Sequence, residues 1–451
     1  MLFRKINNKI IQWFKNNAKK ALLITGARQV GKTFTIRKFL KDNSKSFVEF
    51  NFYENDLARE AFETSKSADE LLLKISALSK TTLIENETII FIDEVQVVKE
   101  IITKIKFLIE EGTYKYILSG SILGVELYNI NSLPVGYMDI LEMYPLDFEE
   151  FAIASGVSGK ILSYLNDCFN HLTKVDELVH KQMIKLFNLY IIVGGMPEAV
   201  DIYIKTNNLQ KVALVHESID KMYRLDISKY DNVNSLVIKD IYDLIPSELN
   251  NENKRFILKN LNEKARFLKY ESSFTWLSNS NIGLFVYNVD NPIYPLLASK
   301  KRTLFKLYLC DTGLLAHKLY DNSIIRILNN EVNINYGFLY EAIVAQELTT
   351  NNINLFYYNN KKRGEIDFLV ELNNEVIPLE VKSGKDYKRH SALNNLLNNS
   401  GYNIRRAYTL SNGNLEIVDK VIYLPIYMIM YIKQNKNFEF KDYKINLDAL
   451  K

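Results

Sequence analysis

The chain has 451 residues, a length that accommodates about two to four domains. Hydrophobic residues make up 47% and charged residues 24%, as in a soluble protein with ordinary buried cores. The formal net charge of +4 permits a nucleic-acid partner without requiring one, because any basic surface must be local. Cys168 and Cys310 lie far apart beside apolar or aromatic residues, which favours two buried free thiols over a disulfide or a zinc site.

No segment of the sequence indicates a membrane. The stretch "MLFRKINNKIIQWFKNNAKK" lacks the apolar core and cleavage site of a signal peptide. The longest apolar run, "VIYLPIYMIMYI", is too short to span a bilayer and contains Pro425. We therefore expect a cytoplasmic protein without a membrane partner.

The predicted elements of residues 1–154 alternate between strands and helices. "KKALLITGARQVGKTFTIRKFL" predicts a strand, a glycine loop and a helix, and further strands are predicted over "SFVEFNFYE", "ENETIIFIDEVQ" and "YKYILSGS". This alternation predicts an α/β fold with a parallel sheet, of the P-loop type.

Three further segments follow this first one. Residues 155–232 are predicted to be helical, with a break at "GGMP" from Gly194 to Pro197. Residues 233–320 predict helices followed by the hairpin of "NIGLFVYNVDNP" and "RTLFKLYLCDTG", an order typical of a winged helix. Residues 330–451 predict a C-terminal α/β domain, which opens with the helix "YGFLYEAIVAQEL".

The glycine loop "GARQVGKT" fits the phosphate-loop pattern G-x-x-x-x-G-K-[ST] without a mismatch. Its glycines let backbone N–H groups surround phosphate oxygens, and the following helix adds its positive dipole end. The lysine reaches the β- and γ-phosphates, and the threonine hydroxyl is a ligand for Mg²⁺. Because a strand precedes the loop and a helix follows it, a chance match in a surface loop is disfavoured. The predicted ATP-binding residues here are Gly26, Ala27, Arg28, Gln29, Val30, Gly31, Lys32 and Thr33.

A second set of polar residues follows two predicted strands. Asp93 and Glu94 come directly after the apolar run from Ile89 to Ile92. At the carboxyl edge of a parallel sheet, Asp93 suits Mg²⁺ binding and Glu94 suits the orientation of an attacking water. Ser119 and Ser121 end the next strand, where they are suited to hold the γ-phosphate or the water, although a plain strand-end turn explains them equally well.

In this order, "GARQVGKT", "IIFIDEVQ", "LSGS" and "YPLDFEEF" resemble a prokaryotic AAA-type ATPase family whose C-terminal domain has no assigned function. "YIIVGGMPEAV" and "LYLCDTGLL" match elements of that family as well. The resemblance covers nearly the whole chain and implies ATP binding and hydrolysis. Relatives often carry an arginine where this chain has Tyr137, which leaves fast turnover open. Arg224 is a candidate substitute, although an intramolecular salt bridge is the favoured interpretation of that residue.

The segment "GEIDFLVELNNEVIPLEVKSG" predicts a hairpin that turns at Asn373-Asn374. In that register Asp367 faces Glu380, and Glu365 faces Lys382, all on one face of the sheet. Carboxylates opposed across two strands repel one another, and a divalent cation would remove this conflict. A half-solvated hairpin, with Lys382 paired to Glu365, is the alternative.

A third carboxylate comes from the helix before the hairpin. Glu341 lies within an apolar stripe, so it should be buried and should have a partner. The whole arrangement resembles a PD-(D/E)XK nuclease, a restriction-endonuclease-like fold. The resemblance implies that Glu341, Asp367 and Glu380 bind Mg²⁺ and that Lys382 positions or deprotonates the water. The same fold also serves as a binding module, so cleavage is left open.

Two basic stretches suit a nucleic acid. The first lies in the predicted winged helix, where a solvated helix face is the alternative, and it offers Lys254, Arg255, Lys259, Lys264 and Arg266. The second, beside the predicted nuclease face, offers Lys385, Lys388 and Arg389. The leading hypothesis is an ATPase coupled to a DNA-associated or other nucleic-acid-associated nuclease-like domain. The rival is a nucleotide-switched regulatory protein whose C-terminal domain binds a partner without cleavage. A homo-oligomer is compatible with both.

Overall fold

The computed structural model describes residues 2–16, 19–98, 100–121, 136–230, 234–264, 266–320, 336–384, 386–434 and 445. Within those residues, no helix combines the length and the apolar character needed to cross a membrane. Residues 133–135, which precede Tyr137, and Lys385 of the second basic stretch lie outside the described residues.

A five-stranded parallel sheet forms the N-terminal part of the chain, in the strand order β2-β3-β4-β1-β5. Its strands are β1 (Ala21–Thr25), β2 (Ser46–Asn51), β3 (Thr88–Asp93), β4 (Lys115–Ser119) and β5 (Met138–Glu142). The apolar runs of β1 and β3 are fully buried, because helices cover both faces of the sheet. The predicted parallel α/β fold is therefore confirmed. Since β4 lies between β1 and β3, the ends of these three strands meet at one edge.

Short helices cover this sheet. They are α1 (Ile6–Lys15), α2 (Lys32–Asn43), α3 (Asp56–Thr64), α4 (Ala68–Leu78) and α5 (Ile101–Glu111). The side chains of Asn55 and Ser67 accept backbone N–H groups at the starts of α3 and α4, so polar caps fix where these helices begin.

A helical segment follows, which extends on both sides of the predicted residues 155–232. It contains α6 (Phe148–Ala154), α7 (Gly159–His171), α8 (Glu177–Val193), α9 (Pro197–Thr206), α10 (Leu209–Tyr230) and α11 (Asn234–Asn250). Helix α8 ends at Gly194, which has φ 70°. Gly195 then passes so close to Leu146 that an added Cβ would lie 2.1 Å from the Leu146 carbonyl oxygen. The predicted break at "GGMP" is thus a close crossing of two backbones.

The rest of the chain builds an eight-stranded mixed sheet in the order β12-β13-β11-β10-β9-β8-β6-β7. Its elements, with the helices between them, are α12 (Phe267–Asn279), β6 (Gly283–Val289), β7 (Lys300–Leu309), α13 (Thr312–Tyr320), α14 (Tyr336–Thr350), β8 (Phe356–Asn360), β9 (Gly364–Leu372), β10 (Glu375–Lys382), α15 (Ser391–Leu397), β11 (Ala407–Ser411), β12 (Glu416–Val418) and β13 (Val421–Pro425). Both described cysteines are buried and unpaired, as expected.

The hairpin of the predicted winged helix belongs to this second sheet. β6 and β7 pair antiparallel with each other, and β6 pairs parallel with β8. The hairpin is therefore continuous with the C-terminal strands and does not stand as a separate wing. Sequence periodicity predicted the hairpin but carries no information about which third strand it joins.

The register of the second hairpin, β9–β10, is the one derived from its turn. Asn373 and Asn374 both have positive φ, at 52° and 65°. Leu379 pairs with Phe368 and Glu375 with Leu372, which is the predicted register. Two asparagines that tolerate the left-handed region set this register.

Candidate functional site

The phosphate loop connects β1 to α2 with backbone conformations that its glycines allow. Gly26 has φ 143°, and a Cβ there would lie 2.1 Å from the Met143 carbonyl oxygen. Gly31 has φ 90° and immediately precedes α2. The loop thus ends on a helix N-terminus with unpaired N–H groups, which is an arrangement suited to phosphate.

Lys32 points back into this loop. Its Nζ donates to the carbonyl oxygens of Gly26, at 3.0 Å, and Ala27, at 2.8 Å. Burial lowers the pKa of Lys32 to about 8, against the opposing charges of Glu94 and Asp93. A buried ammonium at the N-terminus of a helix is suited to an anion, because an anion would offset its desolvation.

The ends of three strands bring oxygen atoms together beside Lys32. The Thr33 hydroxyl donates to Asp93 Oδ2 at 2.9 Å, and the Ser119 hydroxyl donates to Asp93 Oδ1. Asn51 Nδ2 also lies 3.4 Å from Asp93 Oδ2, a contact that the sequence analysis missed. One hydroxyl and one carboxylate in contact fit Mg²⁺, which binds nucleotide phosphates with one or two protein oxygens and several waters.

Glu94 lies just beyond this cluster, with φ 58°. A non-glycine residue in the left-handed region is uncommon and is found preferentially at functional sites. Gln96 Nε2 donates to Glu94 Oε2, and the Ser121 hydroxyl lies 3.4 Å from the same oxygen. Gln96 and Ser121 thus orient the Glu94 carboxylate. The two serines have different partners, because Ser121 contacts Glu94 whereas Ser119 contacts Asp93.

Helix α10 contacts the outer side of the phosphate loop. The sequence did not predict this contact. Arg28 Nη1 lies 2.5 Å from Asp226 Oδ1, and the Tyr223 hydroxyl donates to the Arg28 carbonyl oxygen at 3.1 Å. Gln29, with φ 65°, places Nε2 3.5 Å from Met222 Sδ. Burial raises the pKa of Asp226 despite the Arg28 guanidinium.

The other side of the loop is held by α1 and borders a cavity. Arg4 Nη1 donates to the carbonyl oxygen of the fully buried Val30 at 3.0 Å. A cavity of about 400 Å³ lies beside Gly31, between α1, the start of α2 and the start of α9. Phe34 and Pro197 line this cavity, and Phe34 is 61% exposed despite its aromatic ring.

Neither residue considered for the arginine position lies at this site. The Tyr137 carbonyl oxygen accepts the N–H of Ala21, at the start of β1, whereas the phosphate loop begins after Thr25. Five residues of strand separate the two by roughly 15 Å. Arg224 pairs with Asp220 at 2.7 Å and with Asp243 at 2.5 Å, so the intramolecular salt bridge is the observed arrangement.

In the C-terminal sheet, Glu341 is buried and partnered, as its apolar stripe predicted. Its partners are different from those expected. Lys254 Nζ pairs with Oε1, while Oε2 accepts the Tyr308 hydroxyl at 3.0 Å and lies 3.4 Å from Lys306 Nζ. Lys306 also lies 2.7 Å from Glu365 Oε1.

Asp367 and Glu380 are neighbours, and Lys382 lies beside them. Asp367 Oδ2 accepts the Val381 N–H at 2.8 Å, and Lys382 Nζ lies 3.3 Å from Glu380 Oε2. Burial and the Asp367 charge raise the pKa of Glu380 well above its usual value. Burial opposes ionisation of Asp367, yet its pKa is lowered because the ammonium groups of Lys306 and Lys254 lie nearby. Although burial lowers the pKa of Lys382, the Glu380 and Asp367 charges raise it overall.

Whether a metal ion fits these carboxylates depends on the contacts that their oxygen atoms already make. Among the described residues, no three His, Cys, Asp or Glu side chains converge as a metal-ligand set. Both oxygens of Glu341 are engaged by lysines, and Lys306 lies between Glu341 and Glu365. The arrangement seen here therefore does not fit Mg²⁺ bound jointly by Glu341, Asp367 and Glu380.

The predicted nucleic-acid residues divide into two groups. Lys254 is paired with Glu341, and Arg255 is partly buried, with its Nε donating to Asn253 at 2.9 Å. Lys388 pairs with Glu416 at 2.7 Å. The members that remain exposed and for which no ion pair is recorded among the described residues are Lys259, Lys264, Arg266 and Arg389.

A buried polar network connects the helical segment to the elements around the C-terminal sheet. Glu347, on α14, accepts the Phe148 N–H at 2.8 Å and the Tyr190 hydroxyl at 3.1 Å. Asp311, which follows β7, accepts the Gly195 N–H at 2.6 Å. Gly195 in turn precedes α9, which lines the cavity, so the segment beside the phosphate loop is hydrogen-bonded to the end of β7.

Three family profiles match the chain. Residues 18–152 match a family described as an AAA domain. Residues 184–323 and 336–429 match two domains of unknown function, DUF8612 and DUF4143. The parallel sheet, the phosphate loop and the first of these matches support a P-loop ATPase fold for the N-terminal domain, which is similar to an AAA domain over residues 18–152. The other two matches assign no activity.

Solved structures show weak similarity. The Walker-type ATPase paby2304 of Pyrococcus abyssi has 13% identity and a TM-score of 0.41, over 70% of this chain and 96% of that one. C. elegans PCH-2 has 14% identity and a TM-score of 0.28, over 49% and 70%. The Aeropyrum pernix Orc1 protein in complex with DNA has 12% identity and a TM-score of 0.28, over 73% and 94%. At these scores the similarity is too slight to establish a shared overall fold, and no curated protein matches the chain.

Proposed function

We propose that the N-terminal domain binds and hydrolyses ATP. The observation that carries this proposal is the meeting of Lys32, Thr33, Asp93 and Ser119 at the edge of the sheet. Lys32 would exchange its loop carbonyl partners for the β- and γ-phosphates. Thr33 and Asp93 would hold Mg²⁺, which would neutralise charge on the phosphates.

Glu94 and the two serines complete this proposal. Gln96 and Ser121 hold the Glu94 carboxylate at the strand end, where it would orient the attacking water. Ser119 contacts Asp93, which suits it to position the magnesium ligand more directly than the water. Arg28, Gln29 and the rest of the loop would contribute backbone N–H groups.

We propose that the nucleoside part of ATP binds in the cavity beside Gly31. It adjoins the phosphate-binding end of α2, and its volume of about 400 Å³ is within the range of small-ligand sites. Phe34 offers an exposed aromatic face there. Stacking of a base on an aromatic ring is worth about 1–3 kcal/mol. We therefore expect Phe34→Ala to weaken ATP binding roughly tenfold, whereas Phe107→Ala, at a ring that is 51% exposed on α5, should not.

ATP binding and hydrolysis are tested separately. Lys32→Ala should abolish binding of a fluorescent ATP analogue, and Lys41→Ala, at an exposed lysine on the same helix, should not. Glu94→Gln should keep binding but slow phosphate release by roughly 10²-fold or more. The matched control is Glu60→Gln, at an exposed glutamate on α3. Unchanged affinity in Lys32→Ala would refute the binding proposal, and unchanged turnover in Glu94→Gln would refute the role of Glu94.

For the C-terminal domain we favour recognition of a partner without cleavage. Two of the three carboxylates that would bind a catalytic ion are paired with lysines, Glu341 with Lys254 and Glu380 with Lys382. The order helix, three strands, helix, strand from α14 to β11 supports a nuclease-like topology, which is also used for binding. Incubation with Mg²⁺ or Mn²⁺ and varied DNA and RNA should therefore yield no cleavage. Cleavage that Asp367→Ala abolishes would restore the nuclease interpretation.

A nucleic acid is the partner best supported by the exposed charges. Three basic residues remain exposed in the loop before α12 and would contact phosphates, namely Lys259, Lys264 and Arg266. Their triple alanine variant should weaken DNA binding and flatten its salt dependence, because each phosphate contact adds to the slope. The matched control removes three exposed lysines from α7 and α8, namely Lys160, Lys181 and Lys185. Equal affinities for both triple variants would remove the support for this surface.

A further inference from the structure

A fully buried lysine lies among the carboxylates of the C-terminal sheet. The Lys306 side chain has no exposed surface, and that of Glu341 is 2% exposed. Lys306 Nζ lies 2.7 Å from Glu365 Oε1 and 3.4 Å from Glu341 Oε2. The ammonium therefore joins a carboxylate of α14 to a carboxylate of β9, which are the two elements that a shared metal ion would also join.

The electrostatic requirement of this site is met by the chain itself. The buried Glu341 carboxylate and the Glu365 carboxylate, whose side chain is 30% exposed, both approach Lys306, and unpaired buried charge is costly. Lys306 supplies one positive charge between them, and Lys254 supplies another at Glu341 Oε1. The Tyr308 hydroxyl donates to the remaining oxygen of Glu341 at 3.0 Å. A divalent ion would have to displace these contacts before Glu341 could become a ligand.

The lysine is fixed by its strand. Lys306 pairs with Val286 in the β6–β7 hairpin, and Tyr287 on the same β6 strand pairs with Phe356 of β8. The ammonium is therefore attached to a strand that is paired within the sheet, and it cannot leave as a free ion can. The two lysines, Lys254 and Lys306, precede α13 in the chain, whereas Glu341 and Glu365 follow it on α14 and β9. Each of these two parts of the chain therefore needs the other to neutralise its charge at this site.

We propose that Lys306 is the resident cation of this carboxylate site and replaces the divalent ion that the nuclease-like arrangement would otherwise require. The site then links β7, which carries Lys306, to β9, which carries Glu365, and it binds no divalent metal. Loss of the Lys306 ammonium, with the carboxylates intact, should leave Glu341 and Glu365 without the charge between them, so that a divalent ion can take its place near Asp367.

The test measures Mn²⁺ binding to the full chain without nucleotide or nucleic acid, by electron paramagnetic resonance. The unmodified chain should bind no Mn²⁺ that depends on Asp367, and Lys306→Arg, which keeps the charge, should behave in the same way. Lys306→Met should bind one Mn²⁺ with at least roughly tenfold higher affinity than the unmodified chain. That ion should be lost in Lys306→Met/Asp367→Asn. Its binding should also raise the thermal unfolding midpoint of Lys306→Met alone.

Two results would overturn the proposal. One is Mn²⁺ binding by the unmodified chain that Asp367→Asn abolishes, and the other is a folded Lys306→Met variant without added Mn²⁺ affinity. If Lys306→Met requires metal to fold, folding restored by Mn²⁺ supports the proposal. If Mn²⁺ does not restore folding of Lys306→Met and the double variant Lys306→Met/Glu341→Gln also fails to fold, the proposal is contradicted. Ion binding is measured here without a nucleic acid, so its outcome is separate from that of the cleavage assay.

Discussion

Replacement of Glu347 by glutamine should make the protein more stable at neutral and alkaline pH. Glu347 is fully buried on α14. One of its oxygens accepts the Phe148 N–H and the Tyr190 hydroxyl, while Oε2 has no hydrogen-bond partner among the described residues. Burial, together with the negative charge of Asp147, raises the pKa of Glu347 from 4.5 to about 8. Glutamine keeps the accepting oxygen and removes the ionisation.

The size and sign of the effect follow from this pKa. A carboxyl with a raised folded-state pKa stabilises the fold below its unfolded pKa of 4.5 and loses that contribution as the pH rises through about 8. At 1.36 kcal/mol per pKa unit, the loss for Glu347 between about pH 6 and about pH 9 is on the order of 2–3 kcal/mol. The difference in the free energy of unfolding between Glu347→Gln and the unmodified chain should therefore increase by this amount, in favour of Glu347→Gln, over the same pH range.

Thermal unfolding of both proteins across this pH range measures the difference. Groups common to both proteins, such as Asp311 and Lys32, cancel when one curve is subtracted from the other. Glu263→Gln, at an exposed glutamate, controls for the loss of one carboxyl from the surface. A stability difference between Glu347→Gln and the unmodified chain that does not change with pH would refute the reasoning.

Two further substitutions test contacts around the phosphate loop. Gly195→Ala should cost roughly 3 kcal/mol or prevent folding, because its Cβ would lie 2.1 Å from the Leu146 carbonyl oxygen. Gly159→Ala, where nothing lies within 4 Å of the added Cβ, should be neutral in the same thermal unfolding assay, and equal losses for both variants would contradict this. Arg28→Ala should lower the free energy of unfolding by about 1–3 kcal/mol, because it leaves the buried Asp226 carboxylate without its partner. Adding Asp226→Asn should recover part of that loss in a double-mutant cycle, and strictly additive losses would show that the pair does not interact.

Local sequence patterns determined much of the N-terminal site. The phosphate-loop pattern fixes its own geometry, since Gly26 and Gly31 stand where the backbone needs positive φ. Asp93 and Glu94 lie at the strand end because the apolar run before them has to be buried. The contact of Asp226 with Arg28 could not be predicted, because it joins residues that are 198 positions apart in the chain.

The C-terminal site shows where local reasoning stops. The turn at Asn373-Asn374 set the hairpin register, and the apolar stripe around Glu341 correctly required a buried partner. The expected partners were Asp367 and Glu380 with a metal ion, whereas the structure places Lys254 and Lys306 at this carboxylate. One signal was available, since "TLFKLYL" places the lone charge of Lys306 inside an apolar strand, and a buried lysine also requires an opposite charge.

The sequence by itself determined the elements, the phosphate loop, the hairpin register and the demand of Glu341 for a buried partner, because these depend on side-chain periodicity and on turns of a few residues. Only the tertiary structure decided that β6 and β7 join the C-terminal strands and bring Lys306 to Glu341 and Glu365. Strand pairing across long separations depends on which surfaces bury one another, and periodicity within a strand does not encode that choice.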